Sequence, residues 1–314
     1  MTGPGGELPP SHGVAPVPTR LPVDAPLVSR LVAAQFPRWA GLPVRPVAEE
    51  GWDNRTFRLG SRLSVRLPSA APYAEAIDKE QRWLPVLAPR LPLPVPVPLA
   101  RGVPGEGYPH PWSVHPWLDG APARRENIAD LTEFGTSLAR FLVALRAVDP
   151  AGGPAPGQHN WFRGGPLTTY DGQVREALGT LARQVPVERA WEVWRSALRA
   201  PWDGRPVWFH GDVAPGNLLV ANGVLAAVID FGTCGVGDPA CDLAIAWTLL
   251  TPGSRRAFRD RMGVDPAAWE RGRGWALWKA LTTCARALPA GGAELAEGRR
   301  VVGRILGERA SGAR

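Results

Sequence analysis

Lysine is almost missing from this 314-residue chain. Of its 36 basic residues only Lys79 and Lys279 are lysine, and the rest are arginine. Those arginines are scattered, with no long basic run and no aromatic-interleaved pattern. The formal net charge of +7 therefore does not read as a nucleic-acid footprint. Cysteine is scarce too. Cys234, Cys241 and Cys284 are odd in number and widely spaced, which fits neither a disulfide framework nor a zinc site, so they read as reduced, mostly buried thiols. No run of about 18 apolar residues is present, so no membrane span is expected. The opening stretch MTGPGGELPPSHGVAPVPTRLPVD lacks a basic start followed by an apolar core and does not read as a secretion signal. The expectation is a cytoplasmic protein with no nucleic-acid, membrane or obligate protein partner.

Against these absences stands an ordinary globular balance, 45% apolar and 21% charged, over a length sufficient for two lobes with substantial cores. Residues 1–24 are rich in Pro, Gly and Ser and bury too little apolar surface to offset ordering entropy, so a disordered tail is expected there. Asp24 and Pro26 form an N-cap and early-helix proline before LVSRLVAAQF. RPVAEE, NRTFRLG and RLSVRLP read as an antiparallel meander, and Tyr73–Leu84 as a helix. The proline-rich PRLPLPVPVPLARGVP is extended, and PWSVHPWL is a further strand. From residue 119 the chain turns mainly helical. Segments at 127–148, 173–184 and 187–199 and the stretch after Pro239 are helices, interrupted by the short strands VWF, NLLV and VLAAVID. The expected architecture is α+β and bilobal: a small antiparallel β lobe over 25–118 and a larger helical lobe over 119–314.

The chemistry concentrates in FHGDVAPGNLLVANGVLAAVIDFG. Two apolar strands flank a polar turn, and they present Asp212, Asn217 and Asp230 at their ends. Phosphoryl transfer needs a carboxylate near the acceptor hydroxyl and hard oxygen ligands for Mg²⁺, which takes one or two carboxylates plus phosphate oxygens. These three residues meet that need. Their order, His210-Gly211-Asp212, four residues, Asn217, then Asp230-Phe231-Gly232, matches the spacing of a kinase catalytic loop followed by D-F-G. Glycine stands where protein kinases have arginine.

In that respect the chain resembles the aminoglycoside phosphotransferase-like family of small-molecule kinases, whose loop reads H-G-D-x-x-x-x-N. The likeness runs from about Trp39 onward and includes VGDPACDLA. It implies a protein-kinase-like fold, ATP or GTP as co-substrate, Mg²⁺ held by Asn217 and Asp230, Asp212 as catalytic base and His210 orienting the loop. It also makes GWDNRTFRLG, with Gly51 and Asn54, the phosphate-covering turn, and it places the strand of His115 and Trp117 beside the nucleotide base. One part is missing. The small-lobe strand that carries the anchoring lysine in kinase-like folds reads Ser64-Val65-Arg66-Leu67-Pro68, and neither Lys79 nor Lys279 lies on it. Arg66 is expected in its place, paired with Glu80 or, failing that, Glu75.

By the same resemblance the acceptor is a small-molecule hydroxyl compound, with antibiotics as the leading class. The pocket is then built by the C-terminal helices and the insertion before them. Asn160, Trp161 and Arg163 of NWFRGGPL, together with Trp275, Trp278 and Asp242, are its candidates, with Asp242 open also to bracing the catalytic loop by accepting backbone donors. Asp238-Pro239 reads as a helix cap instead. Only Asp238 and Asp242 lie close together after the acidic loop, which fits a polycationic aminoglycoside poorly and leaves macrolides, other natural products and metabolite hydroxyls open. Two rivals remain. One is a degenerate kinase that binds nucleotide without turnover. The other is a protein kinase, disfavoured because Asp238-Pro239 begins a helix where an activation segment would follow.

Overall fold

A computed structural model describes residues 19–47, 51 and 53–308. In the small lobe, helix α1 (Ala25–Gln35) is capped by Asp24, whose side chain accepts from the Leu27 amide. Strands β1 (Val44–Pro46), β2 (Asn54–Leu59) and β3 (Leu63–Pro68) follow, then α2 (Glu75–Leu87), β4 (Ala100–Gly102) and β5 (Trp112–Pro116). The five strands form one antiparallel sheet in the order β1-β2-β3-β5-β4. Val65 and Leu67 of β3 are fully buried in a core with Val28, Leu31, Phe57, Trp112 and Val114. The period-2 alternation of a strand then places Arg66 on the opposite face.

Two expectations shift at this lobe. The tail was taken to end at residue 24, but Leu21 donates its amide to the Ser69 carbonyl, and Leu21 and Val23 pack on the small-lobe core. Residues 1–18 lie outside the described residues, as do Ala48–Glu50 at the end of the RPVAEE segment and Trp52. Helix α2 runs past Leu84 through Pro85 to Leu87. Leu84 and Leu87 are both fully buried in the large-lobe core, and that burial outweighs the helix-breaking tendency of the proline.

The chain crosses to the second lobe between β5 and β6 (Ala121–Pro122). There follow α3 (Leu131–Arg146), α4 (Asp171–Thr180), α5 (Val187–Arg199), β7 (Val207–Phe209), β8 (Leu218–Ala221), β9 (Val224–Val228), β10 (Gly235–Gly237), α6 (Ile245–Thr248), α7 (Pro252–Met262), α8 (Pro266–Ala287) and α9 (Gly292–Gly307). Helix α3 starts four residues later than its hydrophobic pattern suggests, because Asp130 caps it by accepting from the Thr132 and Glu133 amides. Two small sheets, β6-β8-β9 and β7-β10, present the polar loops between β7 and β10 toward the small lobe. No helix among the described residues is long and apolar enough to cross a membrane.

Candidate active site

The site grows out of the turn after β7. Trp208 and Phe209 are fully buried and fix the end of the strand, so the following residues emerge at a defined place. Gly211 adopts φ +88°, and a Cβ there would lie 2.5 Å from the Thr233 carbonyl oxygen. Only glycine fits this backbone, which is the physical reason for the H-G-D sequence. Both oxygens of the fully buried Asp242 receive the loop: Oδ2 accepts from the His210 amide at 2.9 Å and Oδ1 from the Gly211 amide at 2.7 Å. Asp242 is thus a brace for the loop backbone, and the acceptor-contact role suggested for it is corrected. Gly211→Ala is expected to be destabilised by at least ~1–2 kcal/mol, the cost of a side chain in left-handed backbone, before the clash is added. Thermal unfolding would check this, and a melting temperature equal to wild type would contradict the geometry.

His210 is buried and joins the two halves of the motif. Its Nδ1 accepts from the Asp212 amide at 3.2 Å, and its Nε2 lies 3.0 Å from the Ile229 carbonyl, to which it donates. Its ring meets Phe231 edge-on at 4.6 Å. Asn217 turns its amide nitrogen back onto Asp212, donating to the backbone carbonyl at 2.9 Å and to Oδ2 at 3.1 Å. Among the described residues the side-chain oxygen of Asn217 has no hydrogen-bond donor, which leaves it open to another partner. Asp230 has left-handed backbone, φ +65°, a conformation costly for a non-glycine residue.

Arg66 reaches in from β3. Its Nη1 lies 3.2 Å from both carboxylate oxygens of Glu80 on α2, and its Nη2 lies 3.1 Å from Asp230 Oδ1. Glu80 is 2% exposed. Burial drives its carboxyl upward, against the pull of Arg66. The expected Arg66–Glu80 pair is therefore present as geometry, and Arg66 also ties the small lobe to the D-F-G turn. Gly51 is held by its carbonyl, which accepts from Arg20 Nη2 at 2.6 Å. Asn54 is buried at the start of β2, and its Oδ1 has no hydrogen-bond partner among the described residues. Asp53 beside it is pushed up to about 7 by burial, then by the charges of Asp230 and Asp212, against the opposing pull of Arg66 and Arg20.

Crowded carboxylates and a free amide oxygen test whether magnesium suits this place. Among the described residues no three His, Cys, Asp or Glu side chains form a metal cluster. Magnesium held by one carboxylate, one amide oxygen and nucleotide phosphates requires none. The surplus of negative charge around Asp230, and donors that are all hard oxygens, fit that ion.

Sequence reasoning missed the partner of Asp212. Lys279 on α8 places Nζ 2.5 Å from Asp212 Oδ1. Burial raises the Asp212 carboxyl, but Lys279, with Arg163 and His210, more than offsets this and holds it down to about 2. Asp212 is thus a carboxylate at any working pH. The one available signal was composition: the chain has two lysines, and the other, Lys79, is buried on α2 with Nζ 3.0 Å from His159 Nδ1.

The remaining sites fall into two groups. Arg163, Trp275 and Trp278 meet: the guanidinium lies 4.5 Å from the Trp278 ring centre and 5.6 Å from that of Trp275, and it donates to the Tyr170 hydroxyl at 3.2 Å. Trp161 is 38% exposed at the same loop. Asn160, by contrast, is fully buried; its Oδ1 accepts from Gly157 and its Nδ2 donates to the Arg163 carbonyl, so it shapes the loop from within. That is a correction to its reading as a pocket-lining residue. Gly164, at φ +76°, lets the loop lie on Phe209, where a Cβ would fall 2.1 Å from the ring. His115 is also turned inward. It bonds Ser113 Oγ and the Pro96 carbonyl, both at 2.7 Å, and burial, then Arg66, pushes its ring down to about 3. Its side chain belongs to the core, as a lone histidine in such a strand is expected to, and only the strand backbone is left for the role the resemblance implies. Trp117 donates its amide to the Arg62 carbonyl at 2.8 Å, and its ring lies under Arg58. Asp238 caps at Ala240 and holds Arg271 at 2.7 Å.

Two lobes of this make, meeting over a loop that carries Asp212 and Asn217, are those of kinase-like phosphotransferases. The profile of the phosphotransferase enzyme family (APH) matches residues 44–275, and the chain belongs to that family. A comparison with curated proteins finds no match. Several solved structures share the fold. The GDP complex of wild-type aminoglycoside 2'-phosphotransferase-IIIa has a TM-score of 0.66 at 17% identity, covering 91% of this chain and 99% of that one. Macrolide 2'-phosphotransferase MphH from Brachybacterium faecium, as apoenzyme, has a TM-score of 0.57 at 22% identity, covering 92% and 99%. The streptomycin–ATP–APH(2")-IIa ternary complex has a TM-score of 0.54 at 15% identity, covering 92% and 98%. That family is one of phosphotransferases.

Proposed function

We propose that this enzyme transfers the γ-phosphoryl group of ATP or GTP to a hydroxyl of a small molecule, with Asp212 as the base. The observation that carries the reading is the Asp212 carboxylate, held by Asn217 Nδ2 at 3.1 Å and by Lys279, at the mouth between the lobes and across from Asp230. The hydroxyl proton passes to Asp212. The acceptor oxygen forms its bond to the γ-phosphorus while the bond to the β,γ-bridging oxygen breaks, and that electron pair leaves with the nucleoside diphosphate. Asn217 Oδ1 and the Asp230 carboxylate would hold Mg²⁺, which when bound neutralises charge on the phosphate oxygens. Arg66 would contact the phosphates from the small lobe, and the Gly51–Asn54 turn would cover them. Similar folds hold GDP or ATP, which supports either purine as donor. Relatives that act on aminoglycosides and macrolides make natural-product alcohols the first acceptors to try. The test is a screen of hydroxyl compounds for stimulated ATP or GTP consumption, with the product identified by mass. Stimulation by peptides alone would favour a protein kinase instead.

Arg66 offers a separate check. A charge-assisted contact to phosphate is worth about 1.5–3 kcal/mol, so Arg66→Ala should weaken nucleotide binding or slow turnover about tenfold or more. It also strips the buried Glu80 of its partner, so the melting temperature must be measured alongside. Arg66→Lys is the finer probe. An ammonium cannot span Glu80 and Asp230 as the fork does, and lysine should not restore full activity. A folded Arg66→Ala protein with normal binding and turnover would remove Arg66 from the site and strengthen the degenerate-kinase reading.

A further inference from the structure

The acceptor side of Asp212 is framed by the 157–165 loop and by α8. Its charged side chains are cations. Lys279 touches the Asp212 carboxylate, and Arg163 lies over the ring of Trp278, the residue before Lys279 on α8. These two opposite Asp212 leave a positive excess. Arg163 has no carboxylate partner among the described residues; its polar contact is the neutral Tyr170 hydroxyl, and its planar group rests on Trp278, the residue before Lys279. With a neutral hydroxyl and an aromatic ring as its neighbours, the guanidinium keeps donors that can meet an anion.

The neighbouring acids cannot supply that charge or receive a cationic acceptor. Asp238 is engaged by Arg271 at 2.7 Å, and Asp242 by the His210 and Gly211 amides. Asp171 accepts from Trp194 Nε1 at 2.8 Å and from Arg175 at 2.9 Å. Of these three acids none is free to receive a polyamine, which would meet Lys279 and Arg163 instead.

Resting on the phosphotransferase reading above, we infer that the acceptor is a hydroxyl compound bearing an anionic group, a carboxylate or a phosphate, near the hydroxyl that is phosphorylated. Arg163 takes that group through its fork, and Lys279 bridges between it and Asp212. The exposed ring of Trp161, at 38% exposure, offers a face for a flat apolar body beside it. The anionic group is a handle and does not enter the transfer step.

Three matched probes decide the matter: para-hydroxymethylbenzoate, its methyl ester, and para-hydroxymethylbenzylamine. Each is titrated calorimetrically into the full chain with a non-hydrolysable nucleotide and Mg²⁺. The benzoate is expected to bind about tenfold or more tightly than the ester or the amine. In Arg163→Gln and in Lys279→Gln the ratio of benzoate to ester affinity should shrink to about threefold or less. Equal binding of the three, tighter binding of the amine, or no binding of any at millimolar concentration would overturn the inference. So would a benzoate preference untouched in both variants, since the anion would then sit elsewhere. The ranking in the unaltered protein stands even if a variant fails to fold. Turnover is a separate readout: phosphorylation of neutral or cationic alcohols with no charge preference upholds the phosphotransferase reading and overturns this one. The absence of transfer to any alcohol in the wider screen would count against the former alone.

Discussion

Asp212→Asn is expected to lower turnover by about 10²–10⁴-fold while leaving nucleotide affinity nearly unchanged. Asparagine keeps the shape of the side chain but cannot take the hydroxyl proton, so the loss falls on the transition state. The loop should survive the exchange. Its backbone is held by Asp242 at His210 and Gly211, by His210 Nδ1 at the Asp212 amide, and by Asn217 at the Asp212 carbonyl; none of these needs the Asp212 carboxylate. Lys279 loses its counter-charge, and that is a local change on the acceptor side. The measurement is steady-state turnover on an identified acceptor together with a nucleotide titration. Wild-type turnover in the variant would show that another group, or none, removes the proton.

The second large effect is expected at Asp230. Asp230→Ala should abolish the dependence of nucleotide binding on magnesium, because the carboxylate is needed before chemistry begins. The substitution also removes one of the two carboxylates on Arg66, while Glu80 keeps the guanidinium in place at 3.2 Å. Arg66 therefore remains available to phosphate, and weak metal-independent binding can persist. Titrating ATP with and without Mg²⁺ separates the two contributions. The unaltered protein should show tighter binding with the metal, and the variant should not. A magnesium effect of the same size in both proteins would exclude Asp230 as a ligand.

Several parts of this site were readable in one dimension because their chemistry is local. His210, Asp212, Asn217 and Asp230 sit within one strand–turn–strand stretch, where the backbone alone sets their spacing. Arg66 and Glu80 come from a strand and the helix that follows it, and alternation along β3 predicts which way Arg66 points. The loop of Asn160, Trp161 and Arg163 was readable only as a unit. Trp161 and Phe162 both have positive φ, at 55° and 58°, so neighbouring side chains leave the backbone in directions no simple period describes. One turns inward, one outward, and Arg163 lies over an aromatic wall.

By itself the sequence determined the α+β fold and the clustering of the oxygen donors Asp212, Asn217 and Asp230, since hydrophobic periodicity and the fixed offsets of a single loop encode them. The tertiary structure alone decided what surrounds the base. Lys279 reaches Asp212 from 67 residues away, Asn160 turns into the interior, and Arg163 finds its place against Trp278 only when α8 packs beside the loop. The physical reason is that charge pairing depends on distance through space, and packing of the buried core sets that distance where local backbone geometry does not.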